Sequence, residues 1–170
     1  MAEPRGRTAL RGSIPKGARS GAKPRPELAE PEVVRDPAAP RRVVDHVLAR
    51  QRALYSLFNG GALSSEFCDA DPYLLKAAKN HGEQAPGPCP VCKNPEFVHV
   101  TYVYGDELGP YSGRIRATEE LAAMATKFGF FNVYVVEVCG RCSWNFLITT
   151  YVLGDGVPRR ALPTPRDLLD

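Results

Sequence analysis

The chain has 170 residues, which is enough for one ordinary domain with additional terminal segments. Its formal net charge of +3 lies within residues 1–40, which carry eight Lys and Arg against five Asp and Glu, while the rest of the chain carries fourteen of each sign. Because the N-terminus lacks the apolar stretch of a secretory signal, and no run reaches the roughly 18 uncharged apolar residues of a membrane span, we expect a cytoplasmic protein.

Residues 1–40 are predicted to be a disordered, basic, Pro-rich tail. They contain seven of the 16 prolines and too few apolar side chains to offset the entropy that ordering would cost. Such a tail either keeps the protein in solution or contacts phosphate groups or an acidic partner. Residues 157–170 are expected to form a loose C-terminal extension, so that residues 41–156 make up one domain.

The first part of this domain, residues 41–83, is predicted to be a helical unit. Residues 41–58 carry apolar side chains at helical spacing and are followed by a Gly-Gly pair that stops a helix. A second helix is indicated by its ends, because Asp71 suits the N-cap, Pro72 the first helical position and Gly82 the position after the last turn. The apolar positions of the first helix are Val44, Val47, Leu48, Leu54, Tyr55 and Phe58.

The second part of the domain, residues 84–156, carries strand signals on both sides of one short helix. β-branched and aromatic residues are concentrated in three segments that have strand length. Thr118 suits the N-cap of the intervening helix, and Glu119 and Glu120 suit its first turn. The predicted strands are residues 97–104, 131–138 and 143–152.

Two Cys-x-x-Cys motifs in this second part predict a metal site. Cys89 and Cys92 form one motif, Cys139 and Cys142 form the other, and each motif precedes a strand that ends in Gly-Asp. One such tight turn supplies two thiolates, so two turns supply the four ligands of a tetrahedral zinc site and leave no open position. In a reducing compartment these motifs favour metal binding over a disulfide framework. We therefore expect one structural Zn²⁺.

The elements together predict an α+β fold. The N-terminal helical unit is expected to pack against a zinc-ribbon-like antiparallel β-sheet with an inserted helix. The two cysteine motifs are 46 residues apart, and a strand, a loop and the inserted helix account for that distance.

Two other interpretations of the cysteines remain open. The string VYVVEVCGRC resembles the strand and Cys-Gly-x-Cys of thioredoxin-like redox proteins, although a strand composition follows it where those proteins have a helix. The string HGEQAPGPCPVC contains the His-x-Glu and Pro-Cys-x-x-Cys elements of zinc deaminases, but only four residues separate the two elements. Cys68 is either a small buried residue, or a fifth ligand or reactive thiol.

The sequence also offers candidates for partner contacts. Trp144 and Tyr151, with Tyr102 and Tyr104, either fill the faces of the sheet or form a platform on which bases stack. Four thiolates around Zn²⁺ would give the core a charge of about −2, so nucleic acid would have to contact the tail or a local basic patch. The candidate basic patch is Arg114, Arg116, Lys127 and Arg141, and the candidate partner-binding residues are Trp144, Asp106, Asp155, Arg114, Arg116 and Arg141.

Several strings in combination resemble the actinobacterial domain-of-unknown-function family 5318. They are EFCDADPYLLKAAKNHGE, CPVC, YVYGDELGPYSGR and NVYVVEVCGRCSWNFLITTYVLG, within residues 41–156. The resemblance implies a small cytoplasmic actinobacterial protein with a zinc site at Cys89, Cys92, Cys139 and Cys142. It implies no particular activity.

We expect a non-enzymatic function, because the sequence contains no Ser-His-Asp set, Walker loop or Gly-x-Gly-x-x-Gly motif. The leading hypothesis is a zinc-binding accessory protein that docks on a larger assembly such as RNA polymerase or the ribosome. One alternative is a protein that binds single-stranded nucleic acid directly through its basic tail and its Tyr and Trp side chains. Another is a thiol redox protein.

Overall fold

The computed structural model describes residues 36–59 and 67–159, and all structural statements below concern these residues. They form an α+β fold with a six-stranded antiparallel sheet and three α-helices. Most of the predicted tail, the Gly-Gly pair after the first helix and most of the predicted C-terminal extension lie outside the described residues.

The sheet has the order β1-β6-β5-β3-β2, and the short β4 pairs with β3. Each of these pairings is antiparallel. The strands are β1 (Arg41–Asp45), β2 (Glu83–Gln84), β3 (Phe97–Tyr104), β4 (Arg114–Ile115), β5 (Phe131–Cys139) and β6 (Asn145–Leu153). The helices are α1 (Val47–Asn59), α2 (Pro72–His81) and α3 (Thr118–Lys127), and a 3₁₀ segment covers Asp106–Tyr111.

The three predicted strands and the second helix are confirmed. The β3, β5 and β6 strands lie where β-branched and aromatic residues are concentrated, since such side chains pack well on a pleated surface. The α2 helix is capped by Asp71, whose Oδ1 accepts the Tyr73 N–H at 2.7 Å. It ends before Gly82, where an added Cβ would lie 2.3 Å from the Ala78 carbonyl oxygen.

The first helix begins later than its apolar spacing predicts. Residues 41–45 form an edge strand instead, with Arg41 opposite Val152 and Val44 opposite Thr150. Asp45 ends this strand, and its Oδ1 accepts the Val47 N–H at 2.7 Å, which satisfies one of the unpaired N–H groups at the start of the helix. Pairing with β6 thus satisfies backbone groups that a longer helix would have satisfied internally.

Thr118 does not cap α3, contrary to the prediction. The N-cap position is Ala117, and Thr118 is the first helical residue. The cap is supplied by Glu83, whose carboxylate accepts the backbone N–H and the hydroxyl of Thr118, both at 2.6 Å. A carboxylate at a helix N-terminus satisfies unpaired N–H groups and interacts favourably with the helix dipole.

The helices lie on both faces of the sheet. The face that carries α2, here called the α2 face, includes Val98 and Val100 of β3 and Val136 and Val138 of β5. The opposite face carries α1 next to Phe97 and Cys139, and α3 farther along the strands. The predicted helical unit is therefore not formed, because α1 and α2 pack against opposite faces.

A register shift in β6 determines which of its side chains join the α2 face. Val135 lies opposite Thr149 and Val136 opposite Leu147, so Ile148 is an extra residue in β6. Successive side chains of a strand point to opposite faces, so this extra residue changes the face to which the side chains before the bulge point relative to those after it. As a result, Leu147 lies on the α2 face.

Candidate metal centre

The two cysteine motifs form the ends of two hairpins that lie side by side in the sheet. Cys139–Cys142 is the turn between β5 and β6, and Cys89–Cys92 lies in the connection between β2 and β3. The first cysteine of each motif makes matching backbone hydrogen bonds. The Cys89 N–H donates to the Asn94 carbonyl and the Cys139 N–H to the Trp144 carbonyl, both at 2.9 Å.

Each motif is closed by a residue in the left-handed region. Lys93 has φ +59° and Ser143 has φ +60°, and each directly follows the second cysteine of its motif. Their N–H groups donate to the carbonyl oxygens of Cys89 and Cys139, both at 3.0 Å. Glycine adopts this conformation without the strain that other residues incur. The sequence therefore repeats the turn geometry without using glycine at either position.

The two turns bring four thiols together. The sulfur atoms of Cys89, Cys92, Cys139 and Cys142 all lie within 4.8 Å of one another. The Sγ atoms of Cys89 and Cys142 are 3.6 Å apart, and those of Cys92 and Cys139 are 3.5 Å apart. A regular tetrahedron with metal–sulfur bonds of about 2.3 Å has edges of about 3.8 Å, so the four sulfurs fit a tetrahedral metal ion.

The pKa values of Cys89, Cys92 and Cys142 are shifted in different directions. Burial raises the pKa of Cys89, although the backbone N–H groups of Cys92 and Val91 partly offset it. Burial also raises the pKa of Cys142, against the effect of the Trp144 N–H. At Cys92 burial is outweighed by the Asn94 N–H and the neighbouring thiols, which lower the pKa to about 7. A metal cation would favour the thiolate at all four sites.

An apolar cluster closes the site on the side of α1. Cys89, Cys139 and Trp144 are fully buried, and Ala53 of α1 packs against them. The Trp144 ring stacks on Phe146 with centroids 5.9 Å apart and planes 11° apart. A donor set of four thiols in such a setting binds zinc or iron, whereas calcium and magnesium require oxygen ligands.

Glu137 is a buried charged residue that the sequence analysis did not single out. It is 3% exposed, and its Oε1 accepts the Arg50 Nε at 2.6 Å and the Trp144 Nε1 at 2.8 Å. These bonds tie α1 to β5 two residues before Cys139. The signal in the sequence was the single charged residue of a strand that is mostly apolar, which is uncommon unless that residue has a partner.

Cys68 lies beside the metal centre without joining the four-sulfur group. It packs against the cluster that contains Cys89 and Cys139 and is half-buried. Burial raises the pKa of Cys68, while a hydrogen bond with Cys142 opposes that shift. Both interpretations of this residue stay open.

The other interpretations of the motifs find less support in the geometry. Cys142 is followed by β6, whereas the thioredoxin-like motif needs a helix there. Glu83, the acid of the deaminase pattern, is engaged with Thr118. His81 is exposed at the end of α2, on a cleft that it shares with Arg114.

The candidate partner-binding residues are spread over the molecule. Trp144 is fully buried, which agrees with the alternative that it fills a face of the sheet and rules it out as a surface contact in this structure. Asp155 is half-buried and accepts from the Val157 N–H at 2.9 Å and Arg159 Nη2 at 2.6 Å. Asp106 and Arg141 are exposed. Arg114 and Arg116 lie together on the Tyr111 ring, 5.6 and 5.5 Å from its centroid.

The aromatic residues proposed as a platform do not share one surface. Tyr151 packs with the α3 cluster, while Tyr102 packs with the α2 cluster on the opposite face. Tyr104 is on the same face as Tyr102 because the two are separated by one residue in β3. Tyr134, which the sequence analysis did not select, lies opposite Tyr102 in the register of β5.

Within the described residues, none of the helices is long and apolar enough to cross a membrane.

Comparison with known proteins identifies relatives among the mycobacteria. The chain is 46% identical over 117 residues to the uncharacterized protein Rv0049 of Mycobacterium tuberculosis strain H37Rv, and the match covers 69% of this chain and 85% of the relative. The uncharacterized protein Mb0050 of Mycobacterium bovis gives the same values. No solved structure matches the chain. The model of DUF5318, a family of unknown function, matches residues 38–166, a range that includes both hairpins and all four clustered cysteines, and the chain therefore belongs to this family.

Proposed function

We propose that this protein is a cytoplasmic, non-enzymatic zinc protein that docks on a larger assembly such as RNA polymerase or the ribosome. One structural Zn²⁺ would be held by Cys89, Cys92, Cys139 and Cys142, and the two hairpins around it would form a zinc-ribbon-like part. The closed group of four sulfurs within 4.8 Å of one another carries this proposal.

Zinc is the ion that this donor set supports best. Four thiolates in a tetrahedron are the usual ligands of structural zinc, and they leave no position for water or substrate. Such an ion contributes to folding and not to a reaction. Iron would also accept four thiolates, so the identity of the metal has to be measured.

A docking role is supported by the rigidity that a bound zinc ion would give to the surface at the cysteine turns. A zinc ion would make the two cysteine turns rigid, and exposed side chains such as Lys93 and Arg141 would then be presented in fixed positions. Ordering these turns in advance reduces the entropy lost on binding a partner. The particular assemblies named above come from analogy with other zinc ribbons.

The test has two parts that report separately on metal and partner. Purified protein should contain one zinc per chain, and the Cys92→Ser variant should lose it while Cys68→Ser keeps it. Tagged protein captured from its native cell, with and without nuclease, should then retain polymerase or ribosomal proteins in near-stoichiometric amounts. A metal-free chain would contradict the zinc proposal. Capture of no assembly under either condition would contradict docking.

The redox alternative makes the opposite prediction for the thiols. It requires a reversible disulfide between Cys139 and Cys142 and no tightly bound metal. Thiol titration of the native protein before and after chelation distinguishes the two functions. We expect the four clustered thiols to react only after the metal has been removed.

A further inference from the structure

Beside α2, the sheet carries an aromatic groove on its α2 face. The groove has a volume of about 550 Å³ and is lined by Leu74 of α2, by Leu147 of β6 and by three tyrosines, Tyr102, Tyr104 and Tyr134. The bulge at Ile148 turns Leu147 toward the groove, as described above. The lining contains no charged residue.

The aromatic rings of these tyrosines are partly exposed. Tyr104 and Tyr134 meet edge to face, with centroids 5.4 Å apart and planes at 89°. Tyr104 remains 45% exposed, and Tyr73 at the start of α2 is 84% exposed. An edge-to-face pair leaves the face of at least one ring free, and a free ring face is a surface on which a planar base stacks.

Two basic clefts border α2, and one of them adjoins the groove. This cleft shares Tyr102 with the groove and is lined by Arg114 and Arg116. The other cleft lies on the opposite side of α2, shares no lining residue with the groove, and is lined by Lys76, Lys79 and Arg141. Together the two clefts contain five Lys and Arg side chains and one carboxylate, Glu96.

The acidic residues near the groove indicate where a phosphate backbone would run. Asp71 caps α2 by accepting the Tyr73 N–H, and Asp69 Oδ1 accepts Asn145 Nδ2 at 3.0 Å. Both carboxylates lie near the N-terminal end of α2. A polyanion would therefore avoid this end and follow the cleft that shares Tyr102 with the groove. Arg114 is the main positive charge there, because Arg116 lies 3.7 Å from the Glu120 carboxylate.

We propose that the α2 face binds single-stranded nucleic acid. Its bases stack in the groove formed by Tyr102, Tyr104 and Tyr134, and its phosphates lie along the adjoining cleft of Arg114 and Arg116. A duplex fits poorly, because its bases are already stacked on one another and are not free to enter the groove. This inference is independent of the docking proposal, and it differs from binding through the basic tail and Trp144 because it uses neither of them.

Fluorescence anisotropy on the purified, metal-loaded full chain tests the proposal. The probes are labelled oligouridylate and oligothymidylate of about 12 nucleotides, within the range that one such surface covers, and a duplex of equal length. We expect the single strands to bind more tightly than the duplex, with affinity that falls as salt rises. The relative affinities of the two single strands show whether RNA or DNA is preferred.

Matched variants assign the binding to the α2 face. Tyr104→Leu should weaken binding of the single strand about 5- to 150-fold, the range expected when one stacked base loses its aromatic partner. Tyr55→Leu is the control, because Tyr55 is 68% exposed on α1 at the opposite face. Arg114→Gln should lower the slope of log affinity against log salt by about 0.7, whereas Arg52→Gln, at an exposed position of α1 on the opposite face, should leave it unchanged.

Three results would overturn the proposal: negligible binding at low salt, equal affinity for single strand and duplex, or equal losses in the Tyr104 and Tyr55 variants. None of them bears on the capture experiment, in which protein components that survive nuclease would still support docking. Conversely, if the oligonucleotides bind but the capture experiment recovers no assembly, nucleic-acid binding by the α2 face would be supported and docking would be contradicted.

Discussion

Glu137 carries a buried charge whose two partners belong to different parts of the fold. Its Oε1 accepts hydrogen bonds from Arg50 in α1 and from Trp144 beside the metal centre. We predict that Glu137→Ala lowers the free energy of unfolding by about 3–5 kcal/mol, because it leaves the Arg50 charge and the Trp144 N–H without an acceptor. Urea unfolding of the metal-loaded protein measures this change.

The control for Glu137 is Glu119→Ala, at an exposed position of the first turn of α3. Loss of a surface charge there should change stability by less than about 1 kcal/mol. In addition, Glu137→Ala combined with Arg50→Met should be less destabilising than the sum of the two single changes, because the double variant no longer buries an unpaired charge. Additive effects would show that the pair is not coupled.

His99 makes stability depend on pH in a defined direction. Burial is the main cause that lowers the pKa of His99 below its ordinary 6.5, and Arg50 adds to it, while Glu137 and Glu83 act in the opposite direction. Below about pH 6.5 the unfolded chain therefore binds a proton that the native protein resists. We predict that the free energy of unfolding falls as the pH drops through this value, and less so in His99→Gln.

The quantity to compare is the difference in unfolding free energy between wild type and variant at each pH, since both would release the proposed metal ion as the thiolates become protonated. His81→Gln is the matched control for loss of an imidazole, because His81 is exposed at the end of α2. Parallel curves for wild type and His99→Gln would mean that His99 keeps its ordinary pKa in the folded protein.

At the scale of elements, local sequence signals located β3, β5, β6 and α2 correctly. They failed where residues distant in the sequence determine the local structure. The caps of α2 lie within its own sequence, whereas the cap of α3 is Glu83, 35 positions away. The edge strand β1 forms through its pairing with β6, whereas the local spacing of its apolar residues predicts a helix. The Cys-x-x-Cys spacing predicted the grouped thiols, but spacing does not reveal that Trp144 is buried.

The two cysteine turns permit a test of local strain. Lys93 and Ser143 adopt positive φ, and this conformation costs a non-glycine residue about 1–2 kcal/mol. Replacement by glycine removes this strain but adds a conformational-entropy cost of about 0.5–1 kcal/mol on folding. We predict that Lys93→Gly and Ser143→Gly each stabilise the protein by up to about 1 kcal/mol. Thermal unfolding of the metal-loaded variants measures the effect.

Arg141→Gly is the matched control within the second turn. Arg141 is exposed and is not among the positive-φ residues, so glycine should bring only its entropic cost and destabilise slightly. Lys93→Val should be the most harmful of the set, because a β-branched side chain is strongly disfavoured at positive φ. The same sign of effect at Lys93 and Arg141 would contradict the account based on strain.

For the whole molecule, the decisive question is how far the fold would depend on the proposed zinc ion. The strands β3 and β5 contribute to all three apolar clusters of the core, so the metal end is not an independent unit. The binding free energy of a structural zinc ion, about 10–16 kcal/mol, is as large as the entire stability of a typical domain, about 5–15 kcal/mol. Removing the ion should therefore unfold the core cooperatively and not merely loosen the cysteine turns.

Trp144 provides the readout for this last prediction, since it is the single tryptophan of the chain and lies fully buried beside the four thiols. Upon addition of a chelator, its fluorescence should shift to the red in parallel with loss of the far-ultraviolet circular dichroism of strands and helices. Cys139→Ser should resemble the chelated protein, whereas Cys68→Ser, which leaves the four-sulfur group intact, should unfold only when chelator is added. If the fluorescence shifts while the circular dichroism persists, the α2 and α3 clusters hold the sheet without metal, and the ion stabilises only the surface at the cysteine turns.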